Sequence, residues 1–297
     1  MVERRNYRCN RWLIVVFALV FQDAFSWRHG MGRVGTVMLT KPGTTTDRVL
    51  SQEYKTLFEP AIRPILLRPE SKPSKGLWLF EQPHEVRPFV RTFVRMAVYK
   101  LTEGSVLVYN PISPTEETLQ AVIDEIGQPA DHVVIPTNSF EHLVYVSGWT
   151  NRFPEATFWG LEGVELEGAL RREDLTVEAR TKEWRRDLDL ALLEGSKVFR
   201  ECFLLHRPTQ TVFTMDSFNH ITDKNILSPV SRMILQALGT FGRPSCSTKM
   251  FLWDRQRCQS AISRVLGWDF DLVLPTHGTC PIPDAKRVIK EEFSFLF

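Results

Sequence analysis

The 297-residue chain lacks most of the short signatures that announce a chemistry. It has no Gly-x-Ser-x-Gly nucleophile elbow, no Walker or kinase motif and no dinucleotide fingerprint, so none of the usual local devices for activating a serine or cradling a nucleotide is present. Cysteine is scarce. None of the five residues forms a CxxC pair, which excludes a zinc ribbon or a dithiol redox motif. Neither sign of charge is in excess: 37 Lys and Arg face 35 Asp and Glu, and a net charge of +2 gives no support to a nucleic-acid partner. Long apolar runs are missing too, because Trp12–Phe21 is too short for a convincing membrane span. No internal repeat or low-complexity tract interrupts the chain.

What remains is ordinary globular composition, 43% hydrophobic and 24% charged, in a chain long enough to bury a substantial core. Eight Trp and twenty Phe point to a thick core or a pocket with aromatic walls. The first fifty residues differ from the rest. MVERRNYRCNR is basic, WLIVVFALVF is apolar and QDAFS follows, the grammar of a secretory signal peptide. The next segment, WRHGMGRVGTVMLTKPGTTTDR, carries Arg, Lys, Thr and Gly with Asp47 as its only acid, which is transit-peptide composition. Joined at Ala24-Phe25, the two resemble the bipartite plastid presequence of algae with secondary plastids, although a small residue is usual where Asp23 stands. The expectation is a targeting presequence over 1–52, an N-terminal arm over 53–74, a single domain over 75–297 and plastid localisation. Secretion or residence in the endomembrane lumen is the alternative, and a retained membrane anchor the third; the mature chain is expected to hold no stable membrane span. Cys9 would leave with the presequence. The other four cysteines read as buried thiols, with a Cys246–Cys258 disulfide as the alternative in an oxidising compartment.

From about residue 75 strand and helix signals alternate. GLWLFEQ, VRMAVYKL and SVLVYN read as three antiparallel strands, the last two joined by a hairpin at Thr102-Glu103-Gly104. In SPTEETLQAVIDEIG, Ser113 reads as an N-cap, Pro114 as the first helical residue and Glu116 as the far side of a capping box, with Gly127 ending the helix. A strand over 131–136 runs into IPTNSFEH, and a helical stretch then leads to the short strand ATFWG. Residues 161–195 carry charges of both signs and read as solvated surface. CFLLH and TVFTM make a hairpin around Arg207-Pro208-Thr209, a helix-rich region spans about 228–266, DLVLP is the last strand, and PDAKRVIKEEFSFLF is an amphipathic helix. This order predicts two sheets covered by helices, an α/β sandwich.

Four residues stand just after predicted strand ends, where side chains converge beyond a sheet edge: Glu141 and His142, then Asp216, then His277. Two imidazoles and two carboxylates make an N/O donor set suited to zinc or iron. His206 and His220 flank Asp216 as possible substitute donors; His206 is expected along a hairpin rim, and Cys280 is expected to be buried rather than metal-bound.

LWLFEQ with VRMAVYKL, FLLHRPTQTVFTMDSFN and DRQRCQSAISRVLGWDFDLVLPTHG resemble the metallo-β-lactamase superfamily, especially its uncharacterised branch in plants, algae and bacteria. The likeness covers nearly all of 75–297 and implies a four-layer αββα sandwich. Laid on this chain, the superfamily's His-x-His-x-Asp-His motif covers Thr137 to His142: Thr137 and Ser139 replace two histidines, Glu141 replaces the aspartate, and His142 matches. Asp216 matches the bridging aspartate, and His277 the histidine of the last strand-end loop. The missing histidines serve one metal of the two-metal members, whereas the counterparts of the other metal's ligands are Glu141, His142, Asp216 and His277. The resemblance therefore implies a degenerate motif with one zinc, or iron or manganese. It implies a hydrolase of an ester, thioester, lactone or phosphodiester, with Ser139 positioning substrate or water. The competing expectation is a catalytically inactive relative that binds a small molecule or a protein.

Overall fold

The computed structural model describes residues 76–297, apart from 87–89, 177–183, 197–199, 223–228 and 238. The expected presequence and arm, over 1–52 and 53–74, lie outside the described residues.

Leu77–Val86 (β1) and Val90–Lys100 (β2) pair antiparallel, and β2 pairs with Val106–Tyr109 (β3) across the expected turn. All four residues of β3 are buried, the mark of a strand covered on both faces. The sheet then turns parallel. Helix Glu116–Ile126 (α1) crosses to His132–Ile135 (β4), followed by Thr157–Gly160 (β5) and Arg171–Asp174 (β6). The cap of α1 is not Ser113. Thr115, with extended backbone, accepts from the Thr118 N–H, so Pro114 precedes the cap instead of opening the helix. Gly127 ends it as expected, at φ 83°, its N–H returning to the Ile123 carbonyl. Two short helices, Phe140–Leu143 (α2) and Val146–Arg152 (α3), fill the connection between β4 and β5.

The second sheet begins where solvated surface was expected. Trp184–Asp187 (α4) leads into Leu188–Leu193 (β7), almost wholly buried, which pairs with Glu201–His206 (β8). Asp189 is tolerated inside this strand because Arg207 and Arg264 both reach it, at 2.6 and 2.8 Å. Thr211–Thr214 (β9) completes the expected hairpin with β8. Phe218–Asn219 (β10) and Ser245–Cys246 (β11) form a small ribbon, with Pro229–Ala237 (α5) between them and Thr248–Phe251 (α6) and Arg255–Leu266 (α7) after them. Leu272–Pro275 (β12) lies parallel to β9, Ile282–Pro283 (β13) edges the sheet, and Ala285–Glu292 (α8) follows.

Strand alternation divides the second sheet between two cores. Leu190, Leu204, Phe213 and Leu274 join the cluster shared with the first sheet, while Phe203, Leu205, Val212 and Val273 pack with Ile262 and Val265 of α7 and Ile289 of α8. Each fully buried side chain of this kind stabilises by about 1.5–3 kcal/mol. With α1 burying Leu119, Val122 and Ile126 on the outer face of the first sheet, the layers run helix, sheet, sheet, helix. Among the described residues no helix is long and apolar enough to cross a membrane. Cys202, Cys246 and Cys258 are buried thiols and Cys280 is half-buried; none is in a disulfide. Burial pushes the Cys246 and Cys258 thiols up to about 12, which leaves them unreactive at neutral pH.

Candidate metal centre

His142 lies in α2, Asp216 follows β9 by two residues, and His277 follows β12 by two. The first sheet thus supplies one residue and the second sheet two. Their ligand atoms lie within 4.8 Å of one another, and all three residues are buried. Nε2 of each imidazole faces Oδ1 of Asp216, at 3.3 Å from His142 and 3.0 Å from His277. Two ligand atoms held about 2.0–2.1 Å from a zinc at tetrahedral angles sit about 3.3 Å apart, so these separations suit donors around one ion.

A proton count at His277 sharpens the geometry. Its Nδ1 lies 2.7 Å from the Phe93 carbonyl, which can only accept, so Nδ1 carries the proton. In neutral His277, Nε2 then presents a lone pair to a carboxylate oxygen at 3.0 Å. Two acceptors that close require a cation between them or a second proton on the ring. The Nδ1–H to carbonyl bond is the arrangement that orients a ligating histidine toward a metal. The second carboxylate oxygen, Oδ2 of Asp216, is buried and has no hydrogen-bond partner among the described residues. Burial works to raise the Asp216 carboxyl; where the rings of His142 and His277 carry the second proton, their charge and hydrogen bonds outweigh it and hold the group well below the usual carboxylate range, so either a proton or an ion answers the carboxylate. The backbone of Asp216 is fixed as well, its carbonyl accepting from Asn219 Nδ2 at 2.7 Å and Ser247 Oγ at 2.6 Å. The residues present fit a divalent ion.

The loop after β4 is built differently. Thr137 is fully buried and bridges to Glu201, the Asn138 N–H donates to the Arg200 carbonyl, and the Cys202 N–H donates to the Pro136 carbonyl. The ends of both sheets are stitched together there. Thr137 Oγ1 accepts from the Ser139 N–H at 3.1 Å, a local turn. Ser139 is half-buried, and its carbonyl accepts from the His142 N–H at 3.1 Å, so it opens the turn that delivers His142. Glu141 belongs to α2, but its side chain lies outside the described residues.

His206 is far along the β8–β9 hairpin, bonded to Thr209 Oγ1 at 2.7 Å and packed on Tyr99, and does not join the cluster. Nor does His220, whose carbonyl receives the Thr279 N–H; burial, reinforced by the nearby Arg95 charge, lowers its basicity. Cys280 stands outside the cluster too, and burial raises its thiol.

Sequence reasoning missed Glu201 and Arg95. Glu201 is buried, receives the Ser217 N–H on both carboxylate oxygens at 3.1 Å, and is lifted well above the usual range by burial first and by the Asp216 charge second. Arg95 sits opposite Glu81 in the β1–β2 register, a pair of facing charges between two largely apolar strands that could have drawn notice. A cavity of about 480 Å³, lined among others by Asp131, His132, Arg152, Glu155 and Arg171, opens at the other end of the first sheet, where β4, β5 and β6 begin.

Residues 74–236 match the family model described as a domain of unknown function, DUF4336. The chain belongs to that family. No curated protein matches this DUF4336 chain. Among solved structures it is similar to a metallo-β-lactamase from Pontibacter korlensis, at 11% identity and a TM-score of 0.52, over 79% of this chain and 98% of that one. It is similar to the metal-soaked Flv1 flavodiiron core from Synechocystis sp. PCC6803, at 11% identity and a TM-score of 0.54, over 81% of this chain and 61% of that one. The mono-zinc form of the metallo-β-lactamase FIM-1 from Pseudomonas aeruginosa aligns at 8% identity with a TM-score of 0.52, over 74% of this chain and 92% of that one. The DUF4336 chain has the metallo-β-lactamase fold.

Proposed function

We propose that this DUF4336 chain is a mononuclear metal-dependent hydrolase. His142, Asp216 and His277, with Glu141 as a fourth donor, hold one zinc, iron or manganese ion. The observation that carries this reading is the convergence of ligand atoms from the buried His142, Asp216 and His277 to within 4.8 Å of one another, with the ring of His277 oriented by the Phe93 carbonyl. Two imidazoles and a carboxylate suit zinc and iron alike, and the similar structures include a mono-zinc lactamase and a flavodiiron core. A bound zinc brings the pKa of a water toward 7 and offsets the negative charge that develops on an attacked ester, thioester, lactone or phosphodiester. Asp216 brings the negative charge that favours a cation in this buried place, and the Phe93 carbonyl fixes the ring of His277. Ser139, at the start of α2 beside the cluster, orients substrate or water.

A second reading, an inactive family member that binds a small molecule or protein, draws on the β4 loop, where Thr137 serves a turn and an inter-sheet bridge. Metal content of the full-length chain, purified on a histidine-free tag beside a His142→Ala/His277→Ala double variant, separates the two. Near-stoichiometric zinc, iron or manganese that vanishes in the double variant is the expected result. A folded wild type that is metal-free and takes up no added metal sinks the enzyme reading and leaves the binder.

A further inference from the structure

Arg95 is a guanidinium only 3% exposed, on a stretch of β2 whose neighbours Val94, Met96, Ala97 and Val98 are buried and apolar. A charge is placed there only against a full set of partners. Its backbone N–H donates to the Thr276 carbonyl at 3.0 Å, Nη1 donates to the Pro275 carbonyl at 2.6 Å, Nη2 donates to the Gly278 carbonyl, and Nε donates to Glu81. One residue of the first sheet therefore grips Pro275, Thr276 and Gly278 in the loop that ends the second sheet's β12. The remaining residue of that loop, His277, is held by Phe93, two places earlier on the same strand. Asn110 closes the cradle, its Nδ2 donating to the Arg95 carbonyl at 2.6 Å and to Thr276 Oγ1 at 3.0 Å.

We propose that Arg95, with Glu81 fixing its guanidinium, is the positioning residue for His277. By holding the carbonyls on both sides of His277 it sets the ring so that Nδ1–H meets the Phe93 carbonyl and Nε2 points at Asp216. The effect on metal rests on the metal reading above; the effect on the ring does not. The planar fork matters, because a guanidinium serves two diverging carbonyls and a carboxylate at once, whereas an ammonium is a single point of charge on a flexible stem. Without the fork the loop carbonyls and the Glu81 carboxylate lose their common partner, and the ring is no longer held to one orientation.

Three variants of the full-length chain test this: Arg95→Lys, Arg95→Met, and Arg95→Met/Glu81→Met, the last removing both charges so that no unpaired carboxylate is buried. Cobalt(II) titration followed by visible absorption reads metal affinity, and ¹⁵N NMR of the imidazole nitrogens in metal-free protein reads the tautomer of His277. The expected result is a cobalt Kd raised at least about tenfold in both methionine variants, the range for loss of an outer partner of a metal ligand, with Arg95→Lys in between. In the same metal-free variants the Nδ1–H signature of His277 gives way to mixed tautomers while the imidazole signals of His142 stay as in wild type. If Arg95→Met alone does not fold, the double variant decides. A folded double variant with cobalt affinity within about twofold of wild type and an unchanged His277 tautomer overturns the proposal. If wild type itself takes up no cobalt, the metal reading fails and the tautomer comparison still decides the role of Arg95.

Discussion

The loop after β12 and the loop after β4 meet at the same cluster, and both are held by hydrogen bonds with different consequences. In the first, His277 Nδ1–H donates to the Phe93 carbonyl, Arg95 donates to the carbonyls on either side, and Nε2 is left directed at Asp216. In the second, Thr137 Oγ1 accepts from the Ser139 N–H and its backbone bridges to Glu201. The same physical means orients a ring nitrogen toward Asp216 in one loop and ties a hydroxyl into a local turn in the other. A ligand position is thus defined less by the residue type standing there than by whether the surrounding bonds aim an atom at the other donors.

Gly278→Ala is the severest way to break the ordered side. Gly278 has φ 84°, and an added Cβ would sit 2.0 Å from the His220 carbonyl oxygen and 2.7 Å from the Ile221 nitrogen, backbone atoms that have nowhere to go. Positive-φ strain alone costs of order 1–3 kcal/mol. With the clash added, thermal unfolding should show a loss of at least about 3 kcal/mol, and metal content should fall below about a tenth of wild type. Gly163→Ala, at φ 76° with open space around its Cβ, is the control and should lose only about 1–2 kcal/mol, with metal unchanged. Equal losses at the two glycines would show that the His277 loop is not tightly held.

On the other side, Thr137→His/Ser139→His asks whether the β4 loop can be given metal ligands. Position 137 is fully buried, so a larger ring overpacks it at about 1–3 kcal/mol. The expected outcome is lower melting temperature and no second metal equivalent; two equivalents per chain by mass spectrometry would abolish the contrast between the loops.

Glu201→Gln is the mildest probe. The carboxyl of Glu201 is held above its ordinary value of 4.5, so the folded state retains a proton that the unfolded state gives up as pH rises. Stability attributable to this group is complete below about pH 4.5 and falls as pH climbs toward the folded value. The glutamine variant, measured in chelator, should therefore match wild type near pH 4 and gain on it as pH rises above about 4.5. A flat difference across that rise would mean that Glu201 is ionised in the fold.

Much of this architecture was legible. The β1–β2–β3 meander, the helix closed by Gly127, the β8–β9 hairpin and the strand that delivers His277 all carry local signals of alternation, capping or turn chemistry. The strand β7 was hidden because Asp189 breaks its apolar pattern, and the arginines that neutralise it, Arg207 and Arg264, are 18 and 75 residues away. Three ligand candidates could be named because they follow strand ends, but their convergence depends on the packing of two sheets. Arg95 and Glu201 look like ordinary strand charges until register and burial show what they touch. Glu141, equally plausible from its place beside His142, has its side chain outside the described residues.

Phe93 and His277 are 184 residues apart in the chain, and Arg95 and Gly278 are 183 apart. Closing loops of that size costs entropy before any contact offsets it, and such contacts form slowly. Hairpins and helices on either side can assemble from local contacts well before this pair of segments meets. The convergence of His142, Asp216 and His277 therefore arrives late in the time course of folding, behind the bulk of the secondary structure, and it marks the moment when the two halves of the chain have found each other.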